Sequence, residues 1–225
     1  MIRKGIRKTL KWSISLVLKR RYAKYSSKDH IVEFLDLSLL VKAGVFHPEL
    51  FFSTKVLIQF LKSKDLKGQN LLELGCGTGT ISVWAARQGA IVTASDINPM
   101  AIENTIINAK KNKVKVECIE SDLFENLDIN AYSYVIINPP YYPIEPKSIE
   151  ERAWFCGLNF EYFLRLFRQL KRIDSSQKVL MVLSEDCDIV AIRDEAGKQG
   201  FELNCVFTKK QILEINYVFE INKLN

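Results

Sequence analysis

From Asn70 to the C-terminus, short runs of aliphatic and β-branched residues alternate with stretches whose apolar positions recur every three to four residues. A period near two marks a strand and one near 3.6 a helix. Residues 70–74, 91–95, 114–119, 134–137 and 178–183 read as strands. Residues 80–88, 98–112, 158–172 and 189–198 read as the helices between them. Gly89 stops the first of these helices, and Asn98-Pro99 caps and opens the second. In the third, Phe160, Phe163, Leu164 and Phe167 fall on one face, which predicts burial. Strands alternating with helices imply a doubly wound parallel sheet.

The last two runs, 201–208 and 212–221, are joined only by Lys209-Lys210-Gln211. So short a connection makes an antiparallel hairpin, because a parallel crossover needs a dozen residues or more. The expected fold is therefore α/β, a doubly wound and mostly parallel seven-stranded sheet closed by a C-terminal antiparallel hairpin. Before Asn70, residues 31–41 and 53–62 read as helical, with a break at Gly44 to Pro48. This gives a basic N-terminal helical extension over 1–45 and one domain over 46–225.

Composition narrows the class. Apolar residues at 48% and charged residues at 26% fit a globular chain and exclude a disordered one. No run is long and apolar enough for a membrane span. The apolar stretch at 12–18 holds two serines, runs into Lys19-Arg20-Arg21 and has no small-residue cleavage site. It does not read as a signal peptide, and a cytoplasmic location is expected. Five scattered cysteines without a CxxC pair read as buried reduced thiols, and with only two histidines no metal is expected.

The net charge of +6 is unevenly spread. Residues 1–24 hold nine Lys/Arg and no acid, leaving 23 basic against 26 acidic residues in the remainder. Basicity thus belongs to the arm. Ile6, Leu10, Ile14, Val17 and Leu18 lie on one helical face of it. Packing on the domain, docking on RNA or a ribosomal particle, and contact with an anionic membrane surface all remain open for that arm. Nothing in the sequence sets the oligomeric state.

The chemistry is concentrated at the ends of the strands. Glu73-Leu74-Gly75-Cys76-Gly77-Thr78-Gly79 places glycines after a buried strand, where the backbone turns tightly and comes close to a ligand. An acid two residues before the first glycine disfavours a pyrophosphate and favours a cationic ligand such as S-adenosylmethionine. Asp96 ends the second strand, 23 residues after Glu73, where a carboxylate accepts ribose hydroxyls, and Ile97 follows it. Asp122, in Ser121-Asp122-Leu123-Phe124, is placed to accept from an adenine amino group. Asn138-Pro139-Pro140-Tyr141 follows the fourth strand. There the Asn138 oxygen accepts from an acceptor N–H, the Pro139 carbonyl offers a second acceptor, and the Tyr141 ring stacks on a flat amide or base.

This ordered set resembles the class I S-adenosylmethionine-dependent amino-methyltransferases of the small-domain and HemK-like group, over roughly residues 45–185. The stretch Ala153-Trp154-Phe155-Cys156-Gly157-Leu158-Asn159 is similar to a segment of the eukaryotic and archaeal branch, with Cys156 and Phe160 at positions where that branch has glycine. Val45-Phe46-His47-Pro48 resembles the segment covering the cofactor. The resemblance implies S-adenosyl-L-methionine held by Glu73, Gly75, Cys76, Gly77, Gly79, Asp96, Ile97, Asp122, Leu123 and Asn138. It implies catalysis by Asn138, Pro139 and Tyr141, and an acceptor lying against Pro140, Tyr141 and Trp154. The acceptor expected is a planar amino or amide nitrogen, of a protein glutamine or a nucleic-acid base. A small-molecule amine, or a non-catalytic cofactor-binding scaffold, is the alternative.

Overall fold

The computed structural model describes residues 28–45, 52–174, 176–211 and 214–224. The basic arm at 1–24, the covering residues Phe46, His47 and Pro48, and Ile212 lie outside the described residues. The described chain begins with a hairpin, β1 (His30–Phe34) and β2 (Leu37–Val41). Then come α1 (Phe52–Leu61), β3 (Asn70–Leu74), α2 (Thr80–Arg87), β4 (Ile91–Asp96), α3 (Pro99–Lys111) and β5 (Glu117–Glu120). The chain continues through β6 (Tyr134–Ile137), α4 (Glu161–Leu170), β7 (Lys178–Ser184), α5 (Ile189–Lys198), β8 (Phe201–Lys210) and β9 (Ile215–Lys223).

The central sheet has the order β5-β4-β3-β6-β7-β9-β8. Its first five strands are parallel, while β9 runs antiparallel to both β7 and β8. The doubly wound sheet and its terminal hairpin therefore stand as expected. Alternate residues face two separate cores. Leu72, Val135, Met181 and Phe219 pack against Phe163 and Phe167 of α4 and Ile192 of α5. Leu71, Ile136, Val182 and Val218 pack against Leu57 and Leu61 of α1 and Trp84 of α2. Burying both faces explains why these strands read as continuous apolar runs.

Residues 31–41 depart from the expected helix, and so does the helical extension drawn over 1–45 as far as it is described. Val32, Phe34, Leu37, Leu39 and Val41 are buried on one face of a two-stranded hairpin. The turn residues, Leu35 and Asp36, take φ of 49° and 62°. Such a turn ordinarily advertises itself with Asn-Gly or Asp-Gly, and here no glycine is present. Across the turn, positions 34, 37 and 41 are spaced three and four apart, which imitates a helical stripe. The hairpin shares the second core with β3 and α2 and is thus packed on the domain. The third strand is also shorter than expected, because Lys113 at φ 57° and Val114 close α3 instead, with Val114 N–H donating to the Ala109 carbonyl at 3.0 Å.

Candidate active site

The C-terminal ends of β3, β4, β5 and β6 open into one cavity of about 260 Å³. At its floor, Gly75 and Cys76 both donate their N–H to the Ser95 carbonyl of β4, at 2.8 and 2.9 Å. That fork bends the chain sharply, and Gly75 meets it at φ 75° with no atom within 4 Å of an added Cβ. The missing side chain leaves room that a ligand can enter. Gly79 is different. It does not line the cavity, and a Cβ there would lie 2.4 Å from the Thr105 side chain. It is the point where the loop presses onto α3.

Burial works against the negative charge that the sequence places at Glu73. Glu73 is 5% exposed and accepts from the backbone N–H and the hydroxyl of Ser82. Burial raises its pKa from 4.5 to about 8. No side chain caps α2 at its own N-terminus, so a carboxyl delivered from β3 accepts from an orphan N–H of the helix's first turn. Its first contribution is to hold the loop-to-helix turn, and its charge near pH 7 is mostly quenched.

Asp96 receives the Gly77 N–H on one oxygen and the Asn98 N–H on the other, each at 2.9 Å. Each carboxylate oxygen has capacity for a further hydrogen bond, and Asp96 lines the cavity. Desolvation raises its pKa, against the lowering effect of the Asn98, Gly77 and Ile97 amides. Asp122 also lines the cavity, but its carboxylate is engaged by Arg165 at 2.8 Å and more distantly by Arg152 at 3.8 Å. Both arginines line the same space and went unseen in the sequence, since nothing in their local pattern sets them apart.

Asn138 and Pro139 follow β6 directly, beside the end of β3 that leads into the glycine loop, and line the same cavity, where Asn138 is half-buried. Among the described residues no hydrogen bond ties up its side-chain amide. The following residues are folded back by the 153–159 stretch. The Trp154 carbonyl accepts from both Tyr141 and Tyr142 N–H, at 3.2 and 3.0 Å, and Cys156 N–H donates to the Tyr142 carbonyl. Phe160 then adopts φ 60°, a left-handed conformation that glycine adopts most readily. The Tyr141 and Tyr142 rings lie 4.9 Å apart, and burial pushes the Tyr141 phenol well above its ordinary pKa. It stays a neutral hydroxyl.

Every sequence-predicted residue except Gly79 meets in this cavity: Glu73, Gly75, Cys76, Gly77, Asp96, Ile97, Asp122, Leu123, Asn138, Pro139, Pro140, Tyr141 and Trp154. Besides Arg152 and its loop, further contributions come from outside the motifs. Gly44 and Val45 arrive from the end of the hairpin, Ser53 and Thr54 from α1, and Glu161, Tyr162 and Arg165 from α4. Of these only Val45 lay in a recognised segment. Among the described residues no His/Cys/Asp/Glu group could hold a metal ion, and no helix is long and apolar enough to cross a membrane.

Residues 36–150, a little over half of the chain, match the methyltransferase small domain family. The chain belongs to that family, and with it to the S-adenosylmethionine-dependent methyltransferases of class I. A protein carrying the name N5-glutamine methyltransferase from Methanocaldococcus jannaschii is 41% identical over 118 residues, 52% of this chain and 57% of that protein. A release factor glutamine methyltransferase from Dictyoglomus turgidum is 30% identical over 172 residues, 68% of this chain and 59% of its own length. The chain spans less than two thirds of both relatives. Among solved structures, the E. cuniculi Mtq2–Trm112 complex, responsible for methylating a translation termination factor, superposes with a TM-score of 0.58 at 17% identity, over 80% of this chain and 99% of that one. A T. thermophilus 16S rRNA methyltransferase in complex with AdoMet and guanosine gives 0.61 at 17% identity, over 88% and 50%. These last two likenesses are of fold.

The residues present fit S-adenosylmethionine. The open face of Gly75 admits its close approach, the remaining acceptor sites of Asp96 suit a vicinal diol, and the half-buried Ile97 offers an apolar surface beside it. When bound, the cofactor supplies an electrophilic methyl group on a sulfonium.

Proposed function

We propose that this chain transfers that methyl group to the side-chain amide nitrogen of a protein glutamine. The observation that carries the reading is the untied Asn138 amide lining the same cavity as the glycine loop. An amide nitrogen is a poor nucleophile because its lone pair is delocalised into the carbonyl. Asn138 accepts one acceptor N–H through its side-chain oxygen and the Pro139 carbonyl accepts the other. Together they hold the NH2 so that its lone pair points across the cavity, and the neutral Tyr141 ring keeps the amide plane in register. Transfer from a sulfonium needs this alignment more than a strong base. The proton leaves after the new C–N bond has formed, when the nitrogen is acidic enough to lose it to water. The 41%-identical relative favours glutamine over other flat NH2 groups.

The decisive experiment is mass spectrometry of peptides and nucleosides from a lysate incubated with the protein and isotope-labelled cofactor. One methyl on a glutamine amide is expected. Label confined to nucleosides transfers the reading to a base amino group, and label in neither fraction ends it. The basic arm, with nine positive charges in residues 1–24, supports engagement of an anionic partner such as a ribosomal particle. A chain starting at Lys28 should then keep cofactor affinity and lose salt-sensitive retention on RNA, whereas loss on anionic vesicles alone would make the partner a membrane surface.

A further inference from the structure

Three asparagines stand at successive four-residue steps along α3 and its C-cap: Asn104, Asn108 and, at the cap, Asn112. Each reaches the same edge of β2. The Asn112 side chain accepts from Ser38 N–H at 3.2 Å and donates to the Ser38 carbonyl at 2.9 Å. Asn108 accepts from Leu40 N–H at 2.7 Å and donates to the Leu40 carbonyl at 2.8 Å. Asn104 accepts from Lys42 N–H at 2.9 Å and also donates to the Leu40 carbonyl, at 2.8 Å. Ser38 and Leu40 stand in register with Glu33 and Ile31 of β1, yet their N–H and C=O groups bond the asparagines, which thus occupy the outward edge of the hairpin as a third strand would. The spacing permits it. Four helical residues advance about 6.0 Å and two strand residues about 6.6 Å, so the rungs stay nearly in step over three repeats.

One rung does more than dock the hairpin. The Asn108 amide also donates to the Thr78 carbonyl at 2.9 Å, inside the glycine loop. One residue group along, Thr105 donates to the Gly77 carbonyl at 3.3 Å and meets the Cys76 thiol at 3.3 Å. Asn108 is fully buried and spends both N–H donors and its oxygen in this way. At the other end, the Asn104 rung fixes Lys42, two residues before Gly44 and Val45 enter the cavity wall.

We propose that Asn108 is a positioning residue that couples the β1–β2 hairpin to the glycine loop, so that the seating of the hairpin sets the affinity of the cofactor site. The ladder acts as a clamp between two walls that share no sequence motif. One is the loop beneath the cofactor, and the other is the chain that leaves the hairpin toward α1. The inference rests on the cofactor assignment above. Asn112 provides the contrast, since its contacts beyond α3 are to Ser38 alone and it touches neither loop nor cavity.

The test compares Asn108→Asp with Asn112→Ala in the full chain. The aspartate keeps the acceptor for Leu40 N–H and removes both donors, so it cuts the bond to Thr78 with little change in volume. Affinity for S-adenosylhomocysteine is measured by calorimetry, melting by circular dichroism, and exchange of the Leu40 amide with and without ligand. Both variants should melt lower than the wild type. Asn108→Asp should weaken ligand binding by about tenfold or more, a coupling of ordinary size, and abolish ligand-induced protection at Leu40. Asn112→Ala should keep both within about twofold. Equal losses in the two variants, in proportion to melting, would reduce the ladder to a purely structural dock and overturn the proposal. If Asn108→Asp does not fold, Thr105→Val and ligand-induced Leu40 protection in the wild type decide it, and absence of that protection overturns it. A wild type that binds no ligand overturns the cofactor assignment and the coupling with it, and so differs from failure of the coupling alone.

Discussion

The two walls of the cavity are built on different plans. On the cofactor wall several polar groups are tied to another strand or helix: the Gly75 and Cys76 amides to β4, Gly77 to Asp96, Ser82 back to Glu73 in β3. The acceptor wall is tied mainly to itself. Residues 141–157 bond to one another through the carbonyls of Trp154, Tyr142 and Ile144, and beyond them Ile144, Ile149 and Leu158 are exposed by 46, 37 and 63%. A cradle fixed across the sheet is suited to one invariant ligand. A self-bonded loop with an apolar rim can be repacked around a partner surface at little cost to the core. On the function proposed above, cofactor binding and substrate choice fall to different parts of the lining.

The contrast breaks most sharply at Asn138. Asn138→Ala should lower kcat by about a hundredfold through lost alignment, while cofactor affinity changes little. Single-turnover kinetics beside calorimetry separates the two, and a parallel loss of cofactor binding would make Asn138 a cofactor contact rather than an acceptor-positioning residue alone. Asp96→Ala should do the reverse. Removing a carboxylate that accepts charge-assisted hydrogen bonds should weaken binding by about 2 kcal/mol, roughly thirtyfold, as read by titration with S-adenosylhomocysteine.

Gly79→Ala tests the join between loop and α3. Its Cβ would meet Thr105 at 2.4 Å while the backbone sits at φ 69°. Thr105 is a stiff β-branched residue on a helix and yields poorly. A destabilisation on the order of 2 kcal/mol follows, lowering the melting temperature by about 4–8 °C. An unchanged melting curve would mean that the loop shifts freely and the cradle is not rigid.

A fourth test is the pH dependence carried by Glu73. Its folded carboxyl titrates near 8 against 4.5 ordinarily, so the folded state holds a proton that the unfolded chain has released. That contribution to stability is complete below pH 4.5 and is lost as the pH rises through about 8. Glu73→Gln should therefore flatten the melting temperature across this window while the wild type declines. Superimposable curves would show that burial does not perturb this carboxyl.

The sequence by itself determined the sheet, the order of its elements and most of the cavity. These depend on local periodicity and on turns at strand ends, and a parallel α/β sheet places such turns together as a matter of topology. Glu73, Asp96 and Asn138 were legible because each stands next to a strand terminus that the pattern already located. Only the tertiary structure decided the rest. The hairpin at 30–41 was masked because its turn uses Leu35 and Asp36 in place of glycine, and because its alternation breaks phase into a helix-like spacing. Arg152, Tyr162 and Arg165 enter the cavity from segments far along the chain, where no local pattern records the approach. The charge state of Glu73 depends on burial that neighbouring residues do not reveal. The asparagines of α3 read as an ordinary polar helix face until β2 lies against them, because a hydrogen bond spanning more than sixty residues has no periodicity of its own.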